Sequence, residues 1–309
     1  MSTISDLLRA AVAPQTHRIY SSYYQRFIQW GGSVHSLPHH VVDNMIAHYF
    51  VHLRSIGAGR SVASGTFYSI MHFHPALNNH LPLSARCLRG YVNLCPPVRS
   101  HPPLPFHHCR GVAFTLAAAG HLRAAIAVFL SHHCLLRINE CLQIRPTHVH
   151  DASQSDVPSH IRVCMLHIPF TKTGPNQSAR VSDPSIISAL VYLVQRTPDN
   201  GLLFPYSARR VRSLFREACQ HIGLPSSFTW HSLRHGGACE ALLQGSSLET
   251  VRRLGRWRSP GSLDTYLQLD AVSFLAIDFQ PSARVRRLLI ILESLTPLQI
   301  LLHALRGHT

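Results

Sequence analysis

The sequence predicts a mainly helical chain with one small antiparallel β-sheet, divided into an N-terminal helical domain and a larger α+β domain. Three observations predict this. Five prolines fall within Cys95-Pro-Pro-Val-Arg-Ser-His-Pro-Pro-Leu-Pro105, a run that forbids helix and favours an extended strap between two halves. On both sides of it apolar residues recur at helical spacing. One stretch, His160-Ile-Arg-Val-Cys-Met-Leu-His-Ile168, has strand composition, with Gly174-Pro175 as a turn and Ser178–Val181 as its return.

Before the strap, helices are expected near 16–30, 39–55 (ending at Gly57), 62–75 and 84–94. In the first, Tyr20, Tyr24, Phe27 and Ile28 share one face and Arg18, Gln25 and Arg26 lie elsewhere. After the strap, helices are expected near 107–119 and 121–136, with Arg137 where the second runs out. Further helices follow near 184–196, 207–222, 232–244, 247–255 and 260–269. The domain boundaries are therefore 1–95, a linker at 96–105, 106–275, and a tail at 276–309. In the tail Arg284, Arg286 and Arg287 precede an apolar face of Leu288, Ile291, Leu292 and Leu295. That face either completes the core of its own domain or docks on a neighbouring protomer.

A chain of 309 residues with 46% apolar content can build two proper cores, and its formal charge of +15 implies a polyanionic partner, because arginine neutralises phosphates and releases their counterions. The eight cysteines form no Cys-x-x-Cys pair and no secretory leader is visible, which suits a reducing compartment. Two His-His-Cys triplets, at 107–109 and 132–134, lack a second ligand pair at zinc spacing, so no metal site is expected. The longest apolar stretch, Leu288–Leu305, is broken by Glu293, Pro297 and Gln299, so no membrane span is expected. The basic residues are 28 arginines and a single lysine, Lys172, inside Ile168-Pro-Phe-Thr-Lys-Thr-Gly-Pro-Asn-Gln177. Arginine replaces lysine wherever positive charge alone is wanted, but it cannot donate a proton. The lone lysine therefore points to proton chemistry.

Flanking it are Leu135-Leu-Arg-Ile-Asn-Glu-Cys-Leu142, His231-Ser-Leu-Arg-His235 and Leu254-Gly-Arg-Trp-Arg-Ser-Pro-Gly-Ser-Leu-Asp-Thr-Tyr266. The order Arg, Lys, His-x-x-Arg, then Trp with a Tyr nine residues later resembles the catalytic signature of the tyrosine recombinases, the phage integrase family, over roughly residues 105–270. The pieces are weak singly and strong as an ordered set.

The resemblance implies DNA strand cleavage and rejoining. Arg137 and Arg234 would grip the non-bridging oxygens of the scissile phosphate with forked donors. Tyr266 would be the nucleophile, forming a 3′-phosphotyrosyl link whose conserved bond energy makes cofactors, ATP and metal unnecessary. His231 would serve as base or as a hydrogen-bonding partner of the phosphate, and Lys172 as the acid that protonates the leaving 5′ oxygen. Counting back from the tyrosine places Trp257 where most of the family has histidine, and Arg256 is the alternative occupant as a third phosphate clamp. Glu140 matches an acidic residue that orients the catalytic groups, and it can equally pair with a nearby arginine. One departure is the stretch Ile144-Arg-Pro-Thr-His-Val-His150 before Asp151, where the family usually carries an acid about eight positions after Glu140. Gly236-Gly237 reads as close helix packing behind His231.

The first half resembles the family's core-binding domain in size, helicity and a Thr16/Tyr20 start. Two domains joined by a strap imply a C-shaped clamp on double-stranded DNA, with Arg18, Arg26, Arg54, Arg60 and Arg99 as candidate phosphate contacts. The family further implies a homo-oligomer, a tetramer on two DNA sites. Gly-Arg-Trp is similar to recombinases of eukaryotic mobile elements such as cryptons or DIRS-like retroelements. The expected compartment is the nucleus in a eukaryote and the cytoplasm (nucleoid) in a prokaryote. Two alternatives stand beside recombination: relaxation of supercoils as in a type IB topoisomerase, and DNA binding by a recombinase-derived protein that has lost catalysis.

Overall fold

Apolar residues spaced three and four apart give each helix of the first half one buried stripe. In the computed structural model, which describes residues 3–96, 101–151, 163–171, 174–259, 261, 263 and 282–306, the chain divides into two units, Met1–Arg99 and Ser100–Thr309. The first contains α1 (Ile4–Ala10), α2 (Pro14–Gly31), α3 (His39–Ser55), α4 (Arg60–Phe73) and α5 (Pro82–Leu94). Its core is built from Phe27 of α2, Ile46, Phe50 and Leu53 of α3, Ala63 and Ile70 of α4, and Leu88 and Tyr91 of α5. Helices α2 and α4 approach closely because residue 65 is glycine: a β-carbon there would lie 2.2 Å from the Tyr23 ring. Asp43, buried on α3, accepts from the Leu83 and Ser84 amides at 2.9 and 2.8 Å and from the Ser84 hydroxyl at 2.6 Å. A carboxylate at the positive end of α5 thus fixes α3 against it.

In the second unit, α6 (Phe106–Ala118) and α7 (Leu122–His133) form a central pair, and α7 is buried continuously from Ala124 to His132. A short α8 (Ile138–Leu142) leads to an antiparallel sheet of β1 (Val149–Asp151), β2 (Cys164–Thr171) and β3 (Gly174–Val181) in that order. The register pairs Val149 with Leu166, Cys164 with Val181, and Thr171 with Gly174. Alternation buries Cys164, Leu166 and Ile168 and leaves Met165 exposed. Next come α9 (Pro184–Val194), α10 (Ala208–His221), α11 (Trp230–Leu243) and α12 (Leu248–Leu254), then α13 (Ala283–Glu293) and α14 (Pro297–Arg306). The starts of α9, α10, α12 and α13 are set by side-chain caps from Asp183, Ser207, Ser247 and Ser282. Among the described residues no helix is long and apolar enough to cross a membrane.

The structure departs from the sequence expectation at four places. Helix α7 stops at His133, not 136, because Leu135 takes a left-handed backbone (φ 52°) that no α-helix accommodates. The sheet gains β1, which is too short to show a period. Gly174 and Pro175 belong to β3, where Pro175 pairs with Phe170. The tail is not a separate segment: Leu289 and Leu292 of α13 and Ile300, Leu301 and Ala304 of α14 are buried, while Ile291 is 54% exposed. Of the expected face, Leu292 is in the core and Leu288 and Leu295 pack against it, and Leu289 takes the place expected of Ile291, so the core-completing alternative is the one observed. Leu292, Ile300, Leu301 and Ala304 share one core with α6 and α9, and a β-carbon on Gly111 of α6 would lie 2.7 Å from Leu289. The expected helix at 260–269 lies mostly outside the described residues.

Truncation after Phe279 therefore removes part of the core. It is expected to yield insoluble protein or a large drop in thermal midpoint, and a soluble fragment melting at the full-length temperature would contradict the packing.

Candidate active site

The site grows from the turn between α7 and α8. With its backbone left-handed and its side chain buried, Leu135 offers its carbonyl oxygen to two guanidinium groups, those of Arg234 and Arg256, the latter at 3.1 Å. A bulky residue held in this region costs on the order of 1–3 kcal/mol. The strain is held in place by a small core of Leu135, Ala238, Val251, Trp257 and Leu263.

Arg137 caps the start of α8. Its amide donates to Glu140 at 2.9 Å and its guanidinium to the other carboxylate oxygen at 2.6 Å. The Arg137 side chain is 22% exposed, so it reaches the mouth of the site. Glu140 is buried and also pairs with Arg256 at 3.2 Å. Burial acts to raise the Glu140 carboxyl, but the charge of Arg256 and the donations from Arg137 outweigh it and hold it below the usual carboxylate range. Arg256, at φ 57°, spends its terminal nitrogens on Glu140 and on the carbonyls of Cys134, Leu135 and Leu254.

Helix α11 supplies His231 in its first turn and Arg234 in the next. Arg234 is wholly buried and forks onto the carbonyls of Leu135 and Gly255, with its guanidinium carbon 4.2 Å from the centre of the Trp257 ring. Trp257 lies against residue 255, which must be glycine: a β-carbon there would meet the indole at 1.6 Å. Arg252, paired with Glu249 at 2.7 Å, donates to the Trp257 carbonyl at 3.0 Å and fixes the turn. His231 is half-buried; burial, then the charges of Arg234, His101 and Arg137, push its pKa down to about 4. It is thus a neutral imidazole at pH 7. His235, one turn on and buried, is pushed down to about 3 by burial and by His231, His101 and Arg234.

Arg137, Glu140, His231, Arg234, Arg256 and Trp257, separated in sequence by up to 120 positions, thus meet in one place. Lys172 and Tyr266 lie outside the described residues, as does Arg99; the strands flanking Lys172 end at the paired Thr171 and Gly174. In the first unit Arg18 and Arg26 are exposed on α2, whereas Arg54 donates to the Leu94 carbonyl at 3.2 Å and Arg60, half-buried, donates to that of Pro96. These two arginines hold the end of α5, a structural task the sequence reading did not foresee. Sequence reasoning also missed His101 and His235 around His231. The spacing His231-x-x-x-His235 was visible, but His101 is brought there only by the tertiary path of the strap. A further omission is an exposed ridge on α10, where Arg209, Arg212 and Arg216 recur at helical spacing on the side away from buried Val211 and Phe215. The His-His-Cys triplets are dispersed: His132 meets the Leu104 carbonyl, His133 accepts from the Ser182 amide, and His108 and Cys109 are buried on α6. Among the described residues no group of three or more metal-ligating side chains converges.

The phage integrase family model matches residues 109–272, more than half of the chain. The chain belongs to the phage integrase family. This tyrosine recombinase is a site-specific enzyme that cleaves and rejoins DNA, and the match favours recombination over topoisomerase-like relaxation. Its fold is similar to that of the XerH site-specific recombinase bound to a palindromic difH substrate, at 12% identity over 84% of this chain and 78% of that one, with a TM-score of 0.58. It is similar to the Tn1549 transposon integrase in complex with circular intermediate DNA, at 13% identity over 87% and 95%, TM-score 0.58. A lambda integrase dimer bound to a COC′ core site aligns at 14% identity over 84% and 90%, TM-score 0.56. At such identity these likenesses are of fold. Comparison with curated proteins gives no match.

Two outcomes follow from the site. Glu140→Ala leaves Arg256 buried without its counter-charge, and chemical denaturation is expected to show a loss of about 3–5 kcal/mol; a loss within error would mean the pair is not formed. The second concerns acid. His108 and His235 are pushed down to about 3, and His132 and His231 to about 4, in each case first by burial, against an ordinary value of 6.5. Folded values below the unfolded one mean that the stabilisation is complete above about pH 6.5 and is lost as pH falls toward 4 and 3. Thermal midpoints measured across this range are expected to fall steadily, and a flat profile would show these rings are not held neutral.

Proposed function

We propose that this recombinase breaks a DNA strand with Tyr266, holds the 3′ end as a phosphotyrosine, and passes it to the 5′ hydroxyl of a partner strand. The single observation that carries the assignment of roles is the convergence of Arg137, His231 and Arg234 on a common buried scaffold. Two guanidinium groups facing one imidazole form a preorganised place for an anion, and the imidazole is neutral and able to accept a proton. A phenol with an ordinary pKa near 10 needs such a base and such cations to ionise at neutral pH. Lys172 is assigned the protonation of the leaving 5′ oxygen, the one role an arginine cannot fill.

Arg256 is assigned a supporting role, because its charge is already paired with the buried Glu140 carboxylate, whereas Arg234 is held by neutral carbonyls. Trp257 is then the residue of that turn that backs the phosphate-gripping Arg234. Since Arg234 is wholly buried, phosphate entry has to shift the groups that cover it. We further assign phosphate contacts to Arg18 and Arg26 on α2 and to the Arg209, Arg212 and Arg216 ridge on α10, which place positive charge on the surface of each unit. The assembly is assigned as a tetramer holding two DNA sites, and the setting as a mobile element, by analogy with the transposon integrase of similar fold.

Expression of wild type and Tyr266→Phe in cells, followed by rapid denaturation and sequencing of protein-linked DNA ends, tests this. Adducts at one inverted-repeat site that vanish in the variant are the expected result. Adducts that persist in Tyr266→Phe would assign the nucleophile elsewhere, and scattered ones would favour topoisomerase-like chemistry.

A further inference from the structure

His101 stands on the proline strap as it enters the second unit, and its ring is exposed. Three residues on, Leu104 is wholly buried, its amide donating to the Ser232 carbonyl of α11 at 2.9 Å and its carbonyl meeting the His132 ring at 3.2 Å. Helix α11 admits the strap this closely because residue 236 is glycine; a β-carbon there would lie 1.8 Å from the Leu104 carbonyl oxygen. Between His101 and this anchor stand Pro102 and Pro103, whose fixed φ stiffens the link. The strap thereby holds the His101 ring against that of His231, edge to face, with centroids 5.6 Å apart. His235 also lies against the His231 ring, with centroids 5.0 Å apart. Exposure falls from His101 through His231 to His235.

We propose that His101 is the proton-exchange partner of His231, carrying to solvent the proton that Tyr266 releases on cleavage and returning it on rejoining. The inference rests on the roles assigned above to His231 and Tyr266. On cleavage the phenolic O–H bond breaks and its proton moves to a ring nitrogen of His231. The phenolate oxygen bonds to phosphorus as the bond to the 5′ oxygen breaks, and that oxygen takes a proton from Lys172. His231 is then an imidazolium close to Arg137 and Arg234, both cationic, and in ring contact with His101 and His235. Transfer of the proton to His101, and from there to water, relieves the repulsion, and rejoining runs the same path backwards. His101 acts through His231 and is a positioning and exchange residue, not one that touches the reacting atoms.

The test uses the full chain and a nicked suicide duplex carrying the site recovered from the adducts, with rates of adduct formation followed across neutral pH. His101→Ala is expected to slow adduct formation about tenfold to a hundredfold, and free imidazole in the buffer to restore it. His101→Gln, polar but without a titrating ring, is expected to be equally slow, and both variants to melt like wild type because the side chain is exposed. Wild-type rates in His101→Ala, or recovery in His101→Gln, or slowing that imidazole does not reverse, each overturn the inference while leaving the Tyr266 adduct intact. An adduct that survives in Tyr266→Phe overturns the site reading itself, and this inference with it.

Discussion

The site hangs on one backbone carbonyl, that of Leu135, shared by two buried guanidinium groups. Arg234 and Arg256 are 0% and 7% exposed, and two cations on one oxygen would repel strongly in so dry a place. Glu140 makes the arrangement tolerable by facing Arg256 and binding Arg137 at its other oxygen. Such a network is a poor source of stability, since apolar residues of like volume would hold the fold as well or better. What it supplies is fixed direction. Arg137, Arg234 and Arg256 are each tied to the same carboxylate or the same carbonyl, so none can reorient without disturbing the others.

Glycines set how closely the supporting elements can approach. Without a side chain at 255 the Trp257 ring lies flat against the turn; without them at 236 and 237 the strap and the end of α7 reach α11, where β-carbons would lie 1.8 and 2.0 Å from carbonyl oxygens of Leu104 and His132. These three positions join the strap, α7, α11 and the α12 turn into one rigid support. The spacing of the converged side chains therefore depends on glycines that carry no chemistry themselves.

Much of this was legible in the sequence, for reasons that also explain the rest. The ordered set Arg137, His231, Arg234 and Trp257 could be read because it follows the order and spacing of the family signature, and the long helices because a buried stripe repeats every 3.6 residues. The limits were set by length and by distance. A three-residue strand such as β1 and a five-residue helix such as α8 show no period. Leucine gives no hint that it will stand at φ 52°, so the break after His133 was invisible. In the tail, an unbroken apolar run left open whether Leu289 or Ile291 turns inward, and packing on Gly111 of α6 selects Leu289. Asp43 at the start of α5, and His101 against His231, are contacts across 40 and 130 positions, which local patterns do not encode.

The composition acquires a second meaning from the structure. Arginine is used here as a builder: Arg54, Arg60, Arg110, Arg123, Arg145, Arg234 and Arg256 all donate to backbone carbonyls, a task for which a planar fork is better shaped than a point-charge ammonium. That preference fills the site with charges that never change. Any proton that moves must then be carried by some other side chain, and imidazole is the side chain whose charge changes near neutral pH. Three imidazoles in ring contact, graded from buried His235 to exposed His101 and close to two permanent cations, are the groups on which the proposed proton exchange rests. In the proposed mechanism the arginine-rich composition and the histidines around α11 are one constraint: fixed positive charge would grip the anion, and the rings beside it would keep the proton from staying.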